Sequence, residues 1–133
     1  MKYKKPRDRT SPEQKIVDGL KNVLKKNGWL VEKTHGNKFQ AGWPDLYCFH
    51  PEHGARWIEV KTPTGYLTPA QGTKFKLWES FGVKIWILTS AQQYNFLFKE
   101  CNWRDFDHKI RKAAHKNDFV NLKPSMKDLF KYD

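Results

Sequence analysis

The run Val83-Lys84-Ile85-Trp86-Ile87-Leu88 constrains this chain most, because a short and nearly continuous apolar stretch reads as a strand buried on both faces. Such a strand needs one layer of structure above it and another below. Two segments look built to supply those layers. Ser11-Pro12-Glu13-Gln14 and Thr68-Pro69-Ala70-Gln71 share a helix-start pattern: a hydroxyl that can cap, a proline at the first helical position, and a glutamine that can reach back to the cap. After the first start, Ile16, Val17, Leu20, Val23 and Leu24 recur with helical period until Asn27-Gly28 stops them. The second helix runs to about Phe81 and is closed by Gly82. Between the two, Trp29 to Thr34, Asp45 to Phe49 and Arg56 to Lys61 read as strands, with His35 to Trp43 a polar loop. Pro51-Glu52-His53-Gly54 turns the chain back, so the second and third strands form a hairpin. Pro63 and Gly65 end the third strand, and Tyr94 to Phe98 adds an expected strand at the sheet edge. The fold class is therefore α/β, a mixed central sheet flanked by helices.

A length of 133 residues suits one compact domain. Its expected organisation is a basic arm at 1–10, a main domain at 11–98 and a C-terminal extension at 99–133, with helices over Asn102 to His115 and Ser125 to Lys131. Charge separates these parts. The arm carries five basic side chains and one acid in ten residues, the densest positive patch of a chain whose net charge is +11. An excess of that size in a small protein implies an anionic partner, with nucleic acid ahead of an acidic membrane. No run of 18 apolar residues exists, and Met1-Lys2-Tyr3-Lys4-Lys5 leads into Pro6-Arg7-Asp8-Arg9 and not into an apolar signal core. A soluble, cytoplasmic protein is expected. Cys48 and Cys101 make no metal spacing and are expected to be reduced thiols.

The chemistry concentrates in Pro44-Asp45 and Glu59-Val60-Lys61. Alternate side chains of a strand share a face, so Glu59 and Lys61 lie side by side while Ile58 and Val60 enter the opposite layer. Pro44 disfavours a helical Trp43, and the chain enters the second strand extended at Asp45. Hairpin pairing can then bring Asp45 to the end of the third strand where Glu59 and Lys61 sit. Two hard oxygen donors so placed suit Mg²⁺, and Lys61 can hold a water or a phosphate. The plain alternative is that Asp45 caps a turn and that Glu59 and Lys61 form an exposed charge pair.

Taken together, Glu13 in its helix, Gly42-Trp43-Pro44-Asp45-Leu46, Ile58-Glu59-Val60-Lys61, Gly65-Tyr66-Leu67-Thr68-Pro69-Ala70-Gln71 and Gly82 resemble the PD-(D/E)xK nuclease superfamily. Within it, the pattern is most similar to the stand-alone virus-type replication-repair nuclease (VRR-NUC) domains of phages. The likeness covers more than half of the chain, from Glu13 to Leu88. It implies a restriction-endonuclease-like core and Mg²⁺-dependent hydrolysis of DNA, with Mn²⁺ able to substitute and a 5′ phosphate on the product. It also implies Asp45 and Glu59 as metal ligands, Val60 lending a carbonyl, and Lys61 orienting water. Stand-alone members are similar to Holliday-junction resolvases and tend to dimerise, so branched or flapped DNA and a homodimer are expected. The tails outside 11–98 lie beyond the resemblance.

Two further residues are candidates for the same centre. Glu13 lies on the stripe of Val17, Leu20 and Leu24, where an inward carboxylate is costly unless paired, and it is expected near the metal. Its alternative is a solvated acid in a helix's first turn. Gln71 lies in line with Phe75 and Trp78 and is expected to assist catalysis, although it also completes a capping box. Lys4, Lys5 and Arg7 of the arm, with Lys38 in the loop before Asp45, are expected to touch phosphate. Trp43 can stack on unpaired bases or anchor its loop. His50 and His53 fall at a turn and His35, His108 and His115 in separate elements, so no zinc site is expected among them. Two rivals remain, a non-catalytic DNA-binding module and a sequence-specific restriction-like endonuclease.

Overall fold

The structure is a computed structural model, and it describes residues 11–34 and 40–115. The arm at 1–10, with Lys4, Lys5 and Arg7, lies outside the described residues. So do Lys38 and the expected helix at 125–131. Helix α1 spans Pro12–Lys26, strand β1 Leu30–Lys33, β2 Leu46–His50, β3 Gly54–Val60, helix α2 Pro69–Ser80 and strand β4 Ile85–Leu88. Two 3₁₀ segments follow, Ala91–Phe98 and Trp103–Phe106, and then helix α3, His108–His115.

The sheet order is β1-β2-β3-β4, antiparallel through β3 and parallel between β3 and β4. That one parallel pair demands a crossover, and α2 is the crossover helix. One face of the sheet packs on α1 through Val17, Leu20 and Leu24, together with Leu46, Cys48, Ile58, Val60, Trp86, Leu88 and Leu97. The other face packs Ile85 and Ile87 against Phe75 of α2 and Leu67, Trp103 and Phe106. All four residues of β4 are buried, as the apolar run required.

The two helix starts behave differently. The Ser11 hydroxyl accepts the Gln14 N–H at 3.0 Å, but the Gln14 side chain does not return to the cap. It donates instead to Asp18 at 2.9 Å and accepts from Lys33 at 2.8 Å. At α2 the expected box is complete, with Gln71 and Thr68 satisfying each other's backbone N–H.

Tyr94 to Phe98 is not a strand. It belongs to the 3₁₀ segment, whose three-residue period turns Leu97 into the α1-side core and lets the Tyr94 hydroxyl accept the Trp29 indole N–H at 2.8 Å. Among the described residues, the open edge of β4 is met by side chains and not by a strand. Asn102 accepts the Ile87 N–H at 2.6 Å and donates to the Ile87 carbonyl at 2.9 Å, taking the place of a neighbouring strand. The single helix expected over 102–115 is broken at Asp107, whose ψ of 138° leaves the helical region and whose carboxylate accepts the Lys109 N–H at 3.0 Å to start α3. Through Trp103 and Phe106 the core continues beyond residue 98. Both cysteines are free thiols, and burial pushes Cys48 up to about 12.

Candidate active site

The hairpin register fixes the site. Leu46 pairs with Ile58, so one further step sets Asp45 against Glu59 at the open end of β2 and β3. Long-range bonds hold Asp45 there. Thr34, just past β1, donates its N–H to the Asp45 carbonyl at 2.9 Å and its hydroxyl to the Pro44 carbonyl at 2.7 Å. The half-buried Asp45 carboxylate accepts the Val60 N–H at 2.8 Å. The Val60 side chain is buried in the α1-side core, so this residue contributes backbone to the site.

Glu59 and Lys61 are the two buried charged residues among those described, 4% and 8% exposed. Glu59 Oε2 lies 3.4 Å from Lys61 Nζ and accepts Gln71 Nε2–H at 3.1 Å. Gln71 Oε1 in turn accepts from Lys61 Nζ at 3.1 Å and from the Thr68 N–H at 3.0 Å. The same glutamine therefore completes the α2 capping box and clamps both charged groups. Gly65 makes room below. A Cβ there would stand 3.2 Å from the Thr62 carbonyl oxygen and 3.4 Å from Lys61 Cβ, so a larger residue would press on the Thr62 backbone next to the lysine.

The carboxylate pair is out of balance. Burial first, and then the charge of Asp45, push Glu59 up from its ordinary 4.5 to about 8 against the opposing pull of Lys61. Its Oε1 is buried and has no hydrogen-bond partner. An orphaned carboxylate oxygen in a group that lies beside a second carboxylate is satisfied by a shared proton or by a cation. As a donor set, two hard oxygens with a backbone edge beside them fit Mg²⁺ or Mn²⁺.

Other expected residues fall elsewhere. Glu13 is exposed, not turned inward, and no hydrogen bond or ion pair joins it to Asp45, Glu59 or Lys61 among the described residues. Burial along α1 begins one turn later, at Val17, because the first turn overhangs the layer it packs on. Trp43 is half-buried, edge-on to Trp57 at 6.0 Å and to Trp78 at 5.3 Å, which anchors the loop before Asp45. Lys74 secures the same loop by donating to the Ala41 carbonyl at 2.8 Å. Sequence reasoning missed Thr34 and Gly65. Thr34 had no signal, whereas Gly65 stood inside the quoted motif.

Among solved structures, one described as a "VRR_NUC domain" superposes with a TM-score of 0.59 at 22% identity, covering 67% of this chain and 96% of the other. The chain has the VRR_NUC fold. No family model matches the sequence, and no curated protein matches it. The mixed sheet with helices on both faces is thus common to the two structures, and within this VRR_NUC fold the polar cluster sits where β2 and β3 open.

Proposed function

We propose that this protein is a divalent-metal-dependent DNA endonuclease that hydrolyses phosphodiester bonds. The observation that carries this reading is the buried Glu59 carboxyl, which feels the charge of Asp45 and has an Oε1 without a hydrogen-bond partner, with Lys61 fixed beside it. The solved "VRR_NUC domain" supports it through the fold it shares with this chain. Asp45 and Glu59 would hold Mg²⁺, or Mn²⁺ in its place, with the backbone of Val60 alongside. When bound, the ion would supply Lewis-acid activation of the scissile phosphodiester.

The chain's own residues set the rest of the chemistry. Lys61 Nζ, held by Gln71 and Glu59, has a donor left to orient a water or a phosphate oxygen beside the two carboxylates. Gln71 keeps Lys61 and Glu59 in register as the substrate arrives. The net charge of +11 draws in a polyanion, and binding falls steeply with salt. Branched or flapped DNA is the proposed substrate, and a homodimer in the cytoplasm the proposed working form. No helix among the described residues is long and apolar enough to cross a membrane.

The test incubates the full chain with a four-way junction, a flap and a linear duplex of unrelated sequence, in Mg²⁺ and in EDTA. Cleavage in Mg²⁺ alone, strongest on the junction or flap and lost in Asp45→Ala and Lys61→Ala, is the expected result. Metal-independent cutting, or wild-type rates in both variants, would overturn the proposal. Discrete bands on plasmid DNA would replace structure selectivity with sequence readout.

A further inference from the structure

The opposite end of the same hairpin carries a second cluster of ligand-type side chains. His50, Glu52 and His53 each offer one donor atom, and these atoms lie within 4.8 Å of one another. His50 ends β2, roughly 16 Å along the strand from Asp45 at the usual rise per residue. We propose that this turn is a metal site for a borderline ion such as Zn²⁺, separate from the carboxylate centre.

Three observations favour it. Two imidazoles and one carboxylate are a zinc ligand set, with a solvent water completing four-coordination, whereas the Asp45–Glu59 end offers oxygen alone. The rings are packed against residues from elements far away in sequence. Trp29 lies 5.1 Å from the His50 ring and 5.9 Å from the His53 ring, Phe98 lies 4.9 Å from His53, and the two imidazoles are 4.5 Å apart. The chain is also shaped for the cluster. Gly54 takes a φ of 80° at the turn, and a Cβ at Gly28 would stand 3.3 Å from His50 Nε2.

The geometry also sets the limits of the site. Four-coordinate zinc with bonds of about 2.0–2.2 Å places its ligands roughly 3.5 Å apart, so Glu52 and His53, both exposed, must close in by rotation. His50 Nδ1 accepts the Glu52 N–H at 3.0 Å, and ligation costs that bond either way: at Nδ1 the ion displaces it, and at Nε2 the ring proton moves to Nδ1, which then no longer accepts. Arg56 donates to the His53 carbonyl at 2.8 Å and opposes a cation, while Glu52 offsets its charge. Affinity is accordingly below that of a closed four-ligand structural site.

The test titrates Zn²⁺ into the full chain by calorimetry in excess Mg²⁺, with Co²⁺ absorption as a second reading of nitrogen ligation. One ion per chain, a melting temperature that rises with Zn²⁺, and loss of both in His53→Ala and in Glu52→Ala are expected. Melting without metal checks that each variant folds. Absence of a Zn²⁺-binding event, or wild-type affinity in either variant, overturns the site. Because cleavage is not the readout, this outcome is independent of the endonuclease proposal.

Discussion

Strand β3 divides the molecule into two regions that differ residue by residue. Ile58 and Val60 point into the α1-side core and are completely buried among aliphatic and aromatic neighbours. Glu59 and Lys61, between and just beyond them, are almost as deeply buried on the α2 side, yet carry charge. Burial on the first side stabilises, at about 25 cal/mol per Å² of apolar surface. On the second side it costs, because a carboxylate leaves water and keeps one oxygen without a partner. A strand that invests in both is organised for packing on one face and for chemistry on the other.

The comparison breaks most visibly through activity. Asp45→Asn keeps the shape of the site and an acceptor for the Val60 N–H but removes a charge. The rate of DNA cleavage should fall roughly 10³-fold, on the scale of losing one transition-state-stabilising group, with little change in melting temperature. An Asp45→Asn variant that cuts at the wild-type rate would end the division of labour. On the apolar side the expectation reverses. Ile58→Ala should cost about 2–5 kcal/mol in urea unfolding while the surviving folded fraction keeps its turnover.

Acidity sharpens the contrast further. Because Glu59 is held near 8 in the fold and near 4.5 in the unfolded chain, the folded state keeps a proton that the unfolded state releases between those values. Metal-free stability is therefore full below about pH 4.5, falls as pH rises, and is lost through about pH 8, by a few kcal/mol on the order of the shift. Unfolding in EDTA at about pH 5 and about pH 8 reads this difference. Glu59→Gln should flatten it, and Mg²⁺ should restore the wild type at the higher pH. An equally steep fall in Glu59→Gln would place the titration elsewhere.

What the sequence disclosed, and what it hid, follows from the range of the forces involved. Helical period, the two Pro-containing starts and the β2–β3 turn are local, and they position Asp45, Glu59, Lys61 and Gln71 within a residue or two. The features that escaped depend on partners far along the chain. Asn102 replaces a strand at Ile87, 15 residues away, so the edge strand expected at 94–98 is not formed. Thr34 fixes Asp45 from 11 residues away, a contact that neither residue advertises. Glu13 shared the apolar stripe of α1, but a stripe gives direction and not depth, and the first turn lies outside the packed layer.

Gln71 supplies the smallest test and the most discriminating one, since one side chain serves both regions. Its Oε1 caps α2 through Thr68, a matter of stability, and also receives Lys61, a matter of chemistry. Gln71→Glu keeps an acceptor for the Thr68 N–H, so the cap survives, but it sets a third carboxylate against Glu59 in place of a donor. Gln71→Ala removes both functions and should cost about 1 kcal/mol of stability from the cap. If the glutamine only caps, cleavage should follow stability and Gln71→Glu should be as active as the wild type. If it positions Lys61 and Glu59, both variants should lose roughly 10-fold or more in kcat with KM for DNA little changed, and the added carboxylate of Gln71→Glu should shift the Mg²⁺ concentration needed for half-maximal cleavage, whereas the alanine variant should leave it in place.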